Sequence, residues 1–171
     1  SRQVFDAKPL INGASLSNEA SRERLNPAQV EQTLGQLHPA TEEQVRQAIE
    51  AAQDNQQSWN LAGIKQRTGI IQAWAERLQQ HALIATSIHE TGLSIRDAQA
   101  DLRTAINLCY YYCNQAHTKL TPRTLHGYQN EDNRLELHGR GTYLCLTDHN
   151  EPFATAIGQL AALLVSGNTV L

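Results

Sequence analysis

The sequence lacks the features that mark nucleic-acid-binding and membrane-spanning proteins. Its 171 residues carry 14 Lys and Arg against 17 Asp and Glu, a formal charge of −3, without a basic cluster. A nucleic-acid surface therefore has no electrostatic basis, and we expect no nucleic-acid partner. The longest uninterrupted apolar run, 160–165, is far shorter than the ~20 residues that cross a bilayer, so no transmembrane segment is predicted.

Cysteine is scarce, and its spacing argues against disulfides. The three cysteines are an odd number, and Cys109 and Cys113 stand four apart in a helical pattern, which favours reduced thiols and a cytoplasmic location. One helical turn of separation also suits half of a metal site, but no further Cys or His stands at ligand spacing. Packing of both thiols in a core is the preferred interpretation, and no metal site is predicted.

Methionine is absent altogether. Ser1 is therefore not an obvious natural start, and 167–171 resembles the opening of a buried strand, where chains rarely end. We expect a piece of a longer polypeptide. What is present, 40% apolar and 18% charged residues, is typical of one globular domain.

The first 118 residues divide into an extended arm and a helical part. In the arm, 1–40, Asn12-Gly13 is a strong hairpin signal, and 30–38 predicts a short edge strand. In the helical part, 41–118, helices are predicted over 41–56, 63–80, 81–91 and 95–117. Their boundaries follow from the capping box of Thr41 and Gln44, a stop at Gly92 and a cap at Ser94.

Apolar residues repeat at helical spacing in two of these segments. In 41–56 the predicted inner stripe consists of Val45, Ala48, Ile49 and Ala52, and in 95–117 it consists of Ile95, Ala98, Leu102, Ala105, Ile106, Cys109, Cys113 and Ala116. These stripes are the candidate core.

The remaining residues predict a turn-rich segment with one strand, followed by the first unit of a parallel sheet. Residues 119–141 are turn-rich and then alternate at Leu135 and Leu137, as a half-buried strand does. In 142–171 a strand at 143–146, expected to be buried on both faces, leads through a polar loop to a helix over 152–166 and a strand from 169. This order is a right-handed βαβ unit.

The polar loop at 147–151 is the candidate functional site. It lies at the carboxyl end of a strand, where open α/β sheets bind ligands, and before a helix N-terminus whose free N–H groups favour anions or oxyanions. The sequence has neither a G-x-G-x-x-G motif nor a P-loop. The alternative interpretation is that Asp148 or Asn150 only caps the following helix.

An ordered set of motifs resembles the aldehyde dehydrogenase superfamily. Residues 134–171, with Thr-Asp-His-Asn-Glu-Pro at 147–152, are similar to the pyrroline-5-carboxylate dehydrogenase domain of bifunctional proline utilization A proteins. Upstream, Leu-Asn-Pro-Ala at 25–28, Ser-Trp at 58–59, His-Glu-Thr-Gly at 89–92, Asp-Leu-Arg at 101–103 and Tyr-Tyr-Tyr at 110–112 occur in the family's order. The resemblance runs from about residue 9 to 171.

The resemblance implies a fold and a set of site residues. The fold would be the helix-rich N-terminal part of an aldehyde dehydrogenase-like α/β domain, with a β flap at 119–141 and an incomplete parallel Rossmann-like sheet. Asn150 matches the amide that holds the oxyanion of the reacting aldehyde, and Asp101 matches a carboxylate near the substrate. The residues that match the lining of the nicotinamide cofactor are Leu146, Thr147, Asp148 and His149.

The implied activity is oxidation of L-glutamate γ-semialdehyde with NAD in proline catabolism, as part of a longer cytoplasmic enzyme. In the family the cofactor-binding Lys, the catalytic Cys and the general-base Glu follow this region, so the chain alone is expected to be inactive. The resemblance further implies a homo-oligomer joined through the β flap, peripheral membrane association of the parent, and FAD in a preceding proline dehydrogenase domain. The choice between NAD and NADP stays open.

The loop departs from the family pattern Ser-Pro-Trp-Asn-Phe-Pro. Asp148, His149 and Glu151 replace its Pro, Trp and Phe, which places two carboxylates near an anionic dinucleotide. This departure favours the alternative function, a non-catalytic aldehyde dehydrogenase-like module that serves in structure or oligomerisation.

Overall fold

A three-stranded sheet occupies the amino-terminal part of the chain. The computed structural model describes residues 5–18, 20–147 and 151–171. Strand β5 (Gln29–Leu37) pairs in parallel with β1 (Phe5–Ala7) on one side and antiparallel with β4 (Arg22–Asn26) on the other. The predicted edge strand at 30–38 is therefore wrong in its position, because β4, which precedes it directly, and β1, from the start of the chain, pair on its two sides and make it the centre of the sheet. A Cβ on Gly35 would lie 2.1 Å from the Phe5 carbonyl oxygen, so β1 approaches β5 where a side chain is missing.

The Asn12-Gly13 hairpin is confirmed. Strands β2 (Leu10–Ile11) and β3 (Ala14–Ser15) pair antiparallel across it. Asn12 and Gly13 have φ values of 49° and 77°. Two consecutive left-handed residues are typical of a type I′ turn, whose twist matches that of the flanking strands.

Four helices follow, and their starts agree with the local signals. They are α1 (Glu42–Leu61), α2 (Gly63–Arg77), α3 (His81–Thr91) and α4 (Ile95–Lys119). Thr41 Oγ accepts from the Gln44 backbone N–H, and the Gln44 side chain accepts from the Thr41 N–H, which confirms the capping box. Ser94 caps α4, and Gly92, with φ of 75°, ends α3.

The core lies between α2, α4 and the last helix, α5 (Pro152–Val165). Its buried side chains are Ile71, Ala75, Leu78, Leu102, Ala105, Cys109, Cys113, Ala116, Ile157, Ala161 and Val165. The predicted stripe of the long helix is thus confirmed except at its start, since Ile95 in the first turn is 65% exposed. The stripe of α1 is not buried: Val45 and Ile49 are exposed, because α1 packs at the margin of the core.

The carboxyl-terminal third contains a hairpin and a βαβ unit. Strands β6 (Arg123–Leu125) and β7 (Asn133–Leu135) pair antiparallel, and β8 (Thr142–Tyr143) and β9 (Thr169–Val170) pair in parallel on either side of α5. The parallel unit confirms the predicted order. Within the described ranges, no helix is long and apolar enough to cross a membrane.

Two strand predictions in this region are wrong in part. The half-buried strand at 135–137 ends at Leu135, and Leu137 is exposed. The strand at 143–146 is not buried on both faces, because Leu144 and Leu146 are 68% and 72% exposed. Along the described chain, β9 is the one strand paired with β8, so most of the surface of both leucines stays exposed.

Candidate functional site

The candidate site lies between the end of β8 and the start of α5. Three of the predicted site residues, Asp148, His149 and Asn150, lie outside the described residues. Leu146 and Thr147, which precede them, are both exposed. The Leu146 carbonyl accepts a 2.9 Å hydrogen bond from Gln159 Nε2, which ties the start of the loop to α5.

Asp101, predicted near the substrate, lies in α4 and contacts the other end of this loop. Its side chain is buried, with the residue only 5% exposed. One carboxylate oxygen accepts from the Phe153 backbone N–H at 3.0 Å, and the other accepts from the Ala154 N–H at 2.8 Å. The carboxylate of α4 therefore caps the first turn of α5.

The first four residues of α5 offer no free N–H group to an anion. Pro152 has no N–H, the N–H groups of Phe153 and Ala154 bind Asp101, and the N–H of Thr155 bonds to the Glu151 carbonyl at 3.0 Å. The prediction that free N–H groups here favour anionic ligands is wrong. The positive end of the helix dipole already faces a carboxylate.

The alternative interpretation, in which Asp148 or Asn150 caps α5, falls on residues outside the described part of the chain. Glu151, at the N-cap position, makes no side-chain capping bond. The N–H groups of Phe153 and Ala154 are bound by Asp101, from a different helix. Sequence reasoning missed this bond because Asp101 and Phe153 are 52 residues apart, whereas capping motifs are read from neighbouring residues.

A small acidic cleft of about 260 Å³ lies beside Asp101. Asp97 and Glu151 contribute carboxylates to it, and Leu93, Ala100 and Thr104 complete its lining. Along the described ranges no group of His, Cys, Asp or Glu is arranged to hold a metal ion. The cleft thus offers negative charge but no cradle for the phosphates of a dinucleotide.

The other end of α5 is held by a buried arginine, which no sequence motif indicated. Arg67, 4% exposed, donates from Nε to the Val165 carbonyl at 3.0 Å and from Nη1 to the Asn60 carbonyl at 2.6 Å. These carbonyls end α5 and α1. Burial lowers the pKa of the Arg67 guanidinium.

Strand β9, which follows α5, is held by the side chain of Asn168. Asn168 Oδ1 accepts from the backbone N–H groups of Arg140 and Gly141 at 2.6 and 3.1 Å. Trp59 Nε1 donates to the Leu164 carbonyl at 2.9 Å. Helix α5 and its flanking strands are therefore fixed at several points to the helical part.

The cysteines lie where the apolar stripe predicted. Cys109 and Cys113 are free and buried, and Cys145 is free and half-buried. Burial raises the pKa of the Cys109 thiol to about 11, with the neighbouring Cys113 a smaller cause. Burial also raises the pKa values of Cys113 and Cys145. None of the three is a thiolate near neutral pH, so none is a prepared nucleophile.

The chain matches one protein family over most of its length. The sequence profile of the aldehyde dehydrogenase family matches residues 15–171. The 1-pyrroline-5-carboxylate dehydrogenase 2 of Bacillus subtilis is 28% identical over 164 residues, and the bifunctional protein PutA of Escherichia coli is 29% identical over 171 residues. These alignments cover 95% and 99% of this chain, which spans 32% and 12% of the two relatives.

Solved structures of proteins with the same two names share the fold. Proline utilization A from Bdellovibrio bacteriovorus superimposes with a TM-score of 0.91 at 30% identity, over 96% of this chain and 17% of that one. The 1-pyrroline-5-carboxylate dehydrogenase from Thermus, solved with bound NAD, gives a TM-score of 0.88 at 25% identity, over 96% of this chain and 32% of that one. The fold is thus an aldehyde dehydrogenase-like α/β arrangement with partial sheets.

Proposed function

Because the chain belongs to the aldehyde dehydrogenase family, we propose that it is the amino-terminal part of an NAD-dependent enzyme that oxidises L-glutamate γ-semialdehyde to glutamate in proline catabolism. The observation that carries the proposal is the match over 95% or more of the chain to 1-pyrroline-5-carboxylate dehydrogenases and PutA. The relatives are three or more times longer, which supports a role as one part of a complete enzyme.

In this proposal the amide of Asn150 is the catalytic group that the chain contributes. It donates a hydrogen bond to the aldehyde oxygen as negative charge develops there. A neutral donor aimed at a developing oxyanion contributes ~3–4 kcal/mol in comparable sites. Since the donors of the α5 N-terminus are occupied by Asp101, that terminus does not compete with Asn150 for the oxyanion.

In this proposal the chain contacts the nicotinamide part of NAD and not its phosphates. Leu144 and Leu146 form an exposed apolar surface at the carboxyl end of β8, where Leu146, Thr147, Asp148 and His149 would line the ring. The closed N-terminus of α5 gives no phosphate site, so the phosphates would be held by other parts of the enzyme. Bound NAD supplies a hydride acceptor.

The chain alone is proposed to be inactive. Its thiols have pKa values raised by burial, and the nucleophilic cysteine and general-base glutamate would belong to another part of the parent enzyme. The same holds for FAD, which would belong to a proline dehydrogenase domain in a bifunctional parent. The three free thiols support a cytoplasmic location.

A second candidate function is a non-catalytic structural or oligomerisation module. It is favoured by Glu151, whose carboxylate lines the acidic cleft with Asp97 and Asp101 and would repel an anionic cofactor. In either function, the exposed strands of the β6–β7 flap would pair subunits of a homo-oligomer.

Formation of NADH from glutamate semialdehyde by the complete parent polypeptide tests the proposal, with the 171-residue chain as the matched control. We expect turnover by the parent and none by the chain. A parent that oxidises only other aldehydes would show the substrate to be wrong. A folded parent that oxidises no aldehyde would favour the structural module.

A further inference from the structure

We propose that Asp101 is a positioning residue: it locks the first turn of α5 onto α4 and thereby fixes the helix that directly follows the candidate loop. Its consequence for catalysis rests on the proposed function, whereas the structural anchor does not. The family resemblance implies a place for Asp101 near the substrate, and its hydrogen bonds add a structural contact with α5.

Both oxygens of the Asp101 carboxylate bind α5. Each of its oxygens accepts one backbone N–H, from Phe153 at 3.0 Å and from Ala154 at 2.8 Å. With the residue 5% exposed, little of the side chain remains for contact with a substrate. Charge-assisted bonds to consecutive amides also fix the direction of the helix axis at its start.

The helix that carries Asp101 is firmly packed in the core. Asp101 lies within α4, a helix of 25 residues, and its neighbours Ala98, Leu102 and Ala105 are buried. Helix α5 packs closely on the same helix, since a Cβ on Gly158 would lie 2.7 Å from Leu108 Cδ1. Asp101 therefore holds α5 against a surface that the core already fixes.

The anchored amides directly follow the candidate loop in the chain. Consecutive Cα atoms are about 3.8 Å apart, and the ring of Pro152 restricts its own φ, so few torsions separate the loop from the anchored amides. At the other end of the loop, the Leu146 carbonyl is bonded to Gln159 of the same helix. A shift of α5 would thus displace both ends of the loop together.

Amide hydrogen exchange of the 171-residue chain tests the anchor. In Asp101→Asn the carboxylate becomes an amide with one acceptor, and we expect the Phe153 and Ala154 amides to exchange about tenfold faster or more. Asp101→Glu, which keeps a carboxylate, should retain most of the protection. Asp54→Asn, a matched change at an exposed position of α1, should leave it unchanged.

Protection of the α4 core amides at Ala105 and Cys109 shows whether the Asp101→Asn chain is folded. If these stay protected while Phe153 and Ala154 lose protection, the anchor is supported. If all four amides exchange as in the unsubstituted chain, the proposal is wrong. If Asp101→Asn unfolds the whole chain, Asp101→Glu becomes the test variant. Loss of protection at Phe153 and Ala154 in Asp101→Glu would then overturn the proposal.

Kinetics of the complete parent test the catalytic consequence. We expect Asp101→Asn to lower kcat for glutamate semialdehyde about tenfold or more, with the KM for NAD unchanged and with rescue by Asp101→Glu. If Asp101→Asn only reduced the amount of folded enzyme, kcat per active site would stay unchanged. Asp101→Glu would then have no loss of kcat to rescue. A wild-type parent without dehydrogenase activity would refute the proposed function and leave the exchange result to decide the anchor.

Discussion

Each end of helix α5 is contacted by a buried charged side chain from another helix. The charge of each side chain is opposite to the partial charge of the helix end that it contacts. The carboxylate of Asp101 faces the N-terminal amides, and the guanidinium of Arg67 faces the terminal carbonyl of Val165. A helix presents partial positive charge at its N-terminus and partial negative charge at its C-terminus, so both contacts are favourable. Neither residue makes an ion pair in the described part of the chain, so the helix ends are their principal partners.

We predict that Arg67→Ala lowers the free energy of unfolding by about 2–4 kcal/mol, because it leaves the Val165 and Asn60 carbonyls buried without a donor. Urea denaturation measures the change. Lys65→Ala, on the same helix at an exposed position, is the control and should stay within about 0.5 kcal/mol of the unsubstituted chain. Equal stability of the two variants would show that the guanidinium contributes nothing.

The Cys109 thiol predicts a loss of stability at alkaline pH. Its pKa is raised by burial from 9.0 to about 11, so the folded state binds this proton more tightly than the unfolded state. The stabilising effect is complete below pH 9 and is lost as the pH rises through 11. Urea denaturation between pH 8 and 11 should show a smaller fall in Cys109→Ala. An identical pH dependence in both chains would contradict the prediction.

For individual residues, the sequence predicted the burial of apolar side chains well and the long-range polar contacts poorly. Cys109 and Cys113 were placed in the core because they share a helical face with Ala105 and Ala116, and the structure confirms it. The bond from Asp101 to Phe153 has no such local pattern, since it depends on how α4 and α5 pack. No residue near Arg67 in the sequence indicated its partner in α5 either.

Among the secondary-structure elements, the entry to β8 passes very close to the turn after α5. A Cβ on Gly139 would lie 2.1 Å from the Gly167 carbonyl oxygen and 2.4 Å from its carbon. Backbone atoms on both sides leave no flexible side chain to move aside. The approach of the β8 and β9 segments therefore requires a residue without a side chain at 139.

We predict that Gly139→Ala lowers the free energy of unfolding by about 2 kcal/mol or more, because the segments must separate. Gly69→Ala is the matched control: Gly69 lies inside α2 with open space around it, so alanine should stabilise the chain by about 0.5–1 kcal/mol. Thermal denaturation of both variants measures the two shifts. A stabilising Gly139→Ala would refute the close approach.

Elements were predicted well where their ends are set locally. The capping box at Thr41, the cap at Ser94 and the left-handed Gly92 place helix boundaries within the chain itself. Strands were predicted less well, since β5 became the centre of a sheet through partners on both sides and 143–146 lacked the burial expected of it. Pairing and coverage of a strand depend on distant residues.

For the whole molecule, the exposed apolar residues of the flap and its surroundings predict association. Leu125 and Leu137 are exposed, in or just after the β6–β7 hairpin, whose outer edges are unpaired within the described chain. We expect sedimentation of the chain as a dimer or larger species in the micromolar range, above its monomer mass of 19.0 kDa.

Replacing Leu125 and Leu137 by Lys should shift the sedimenting species to the monomer. Leu10→Lys, in the exposed amino-terminal hairpin, is the control and should not change the association. A single monomeric species for the unsubstituted chain would contradict assembly through the flap. Association that survives the double substitution would place the interface elsewhere.

The most direct test of the account is the kcat of the complete parent enzyme for glutamate semialdehyde after Asn150→Ala. If Asn150 donates to the oxyanion, kcat should fall about 10²–10³-fold, with little change in the KM for NAD. Asn114→Ala, at an exposed position of α4, serves as the control and should keep full activity. An Asn150→Ala parent with unchanged kcat would contradict the claim that this loop supplies the catalytic donor.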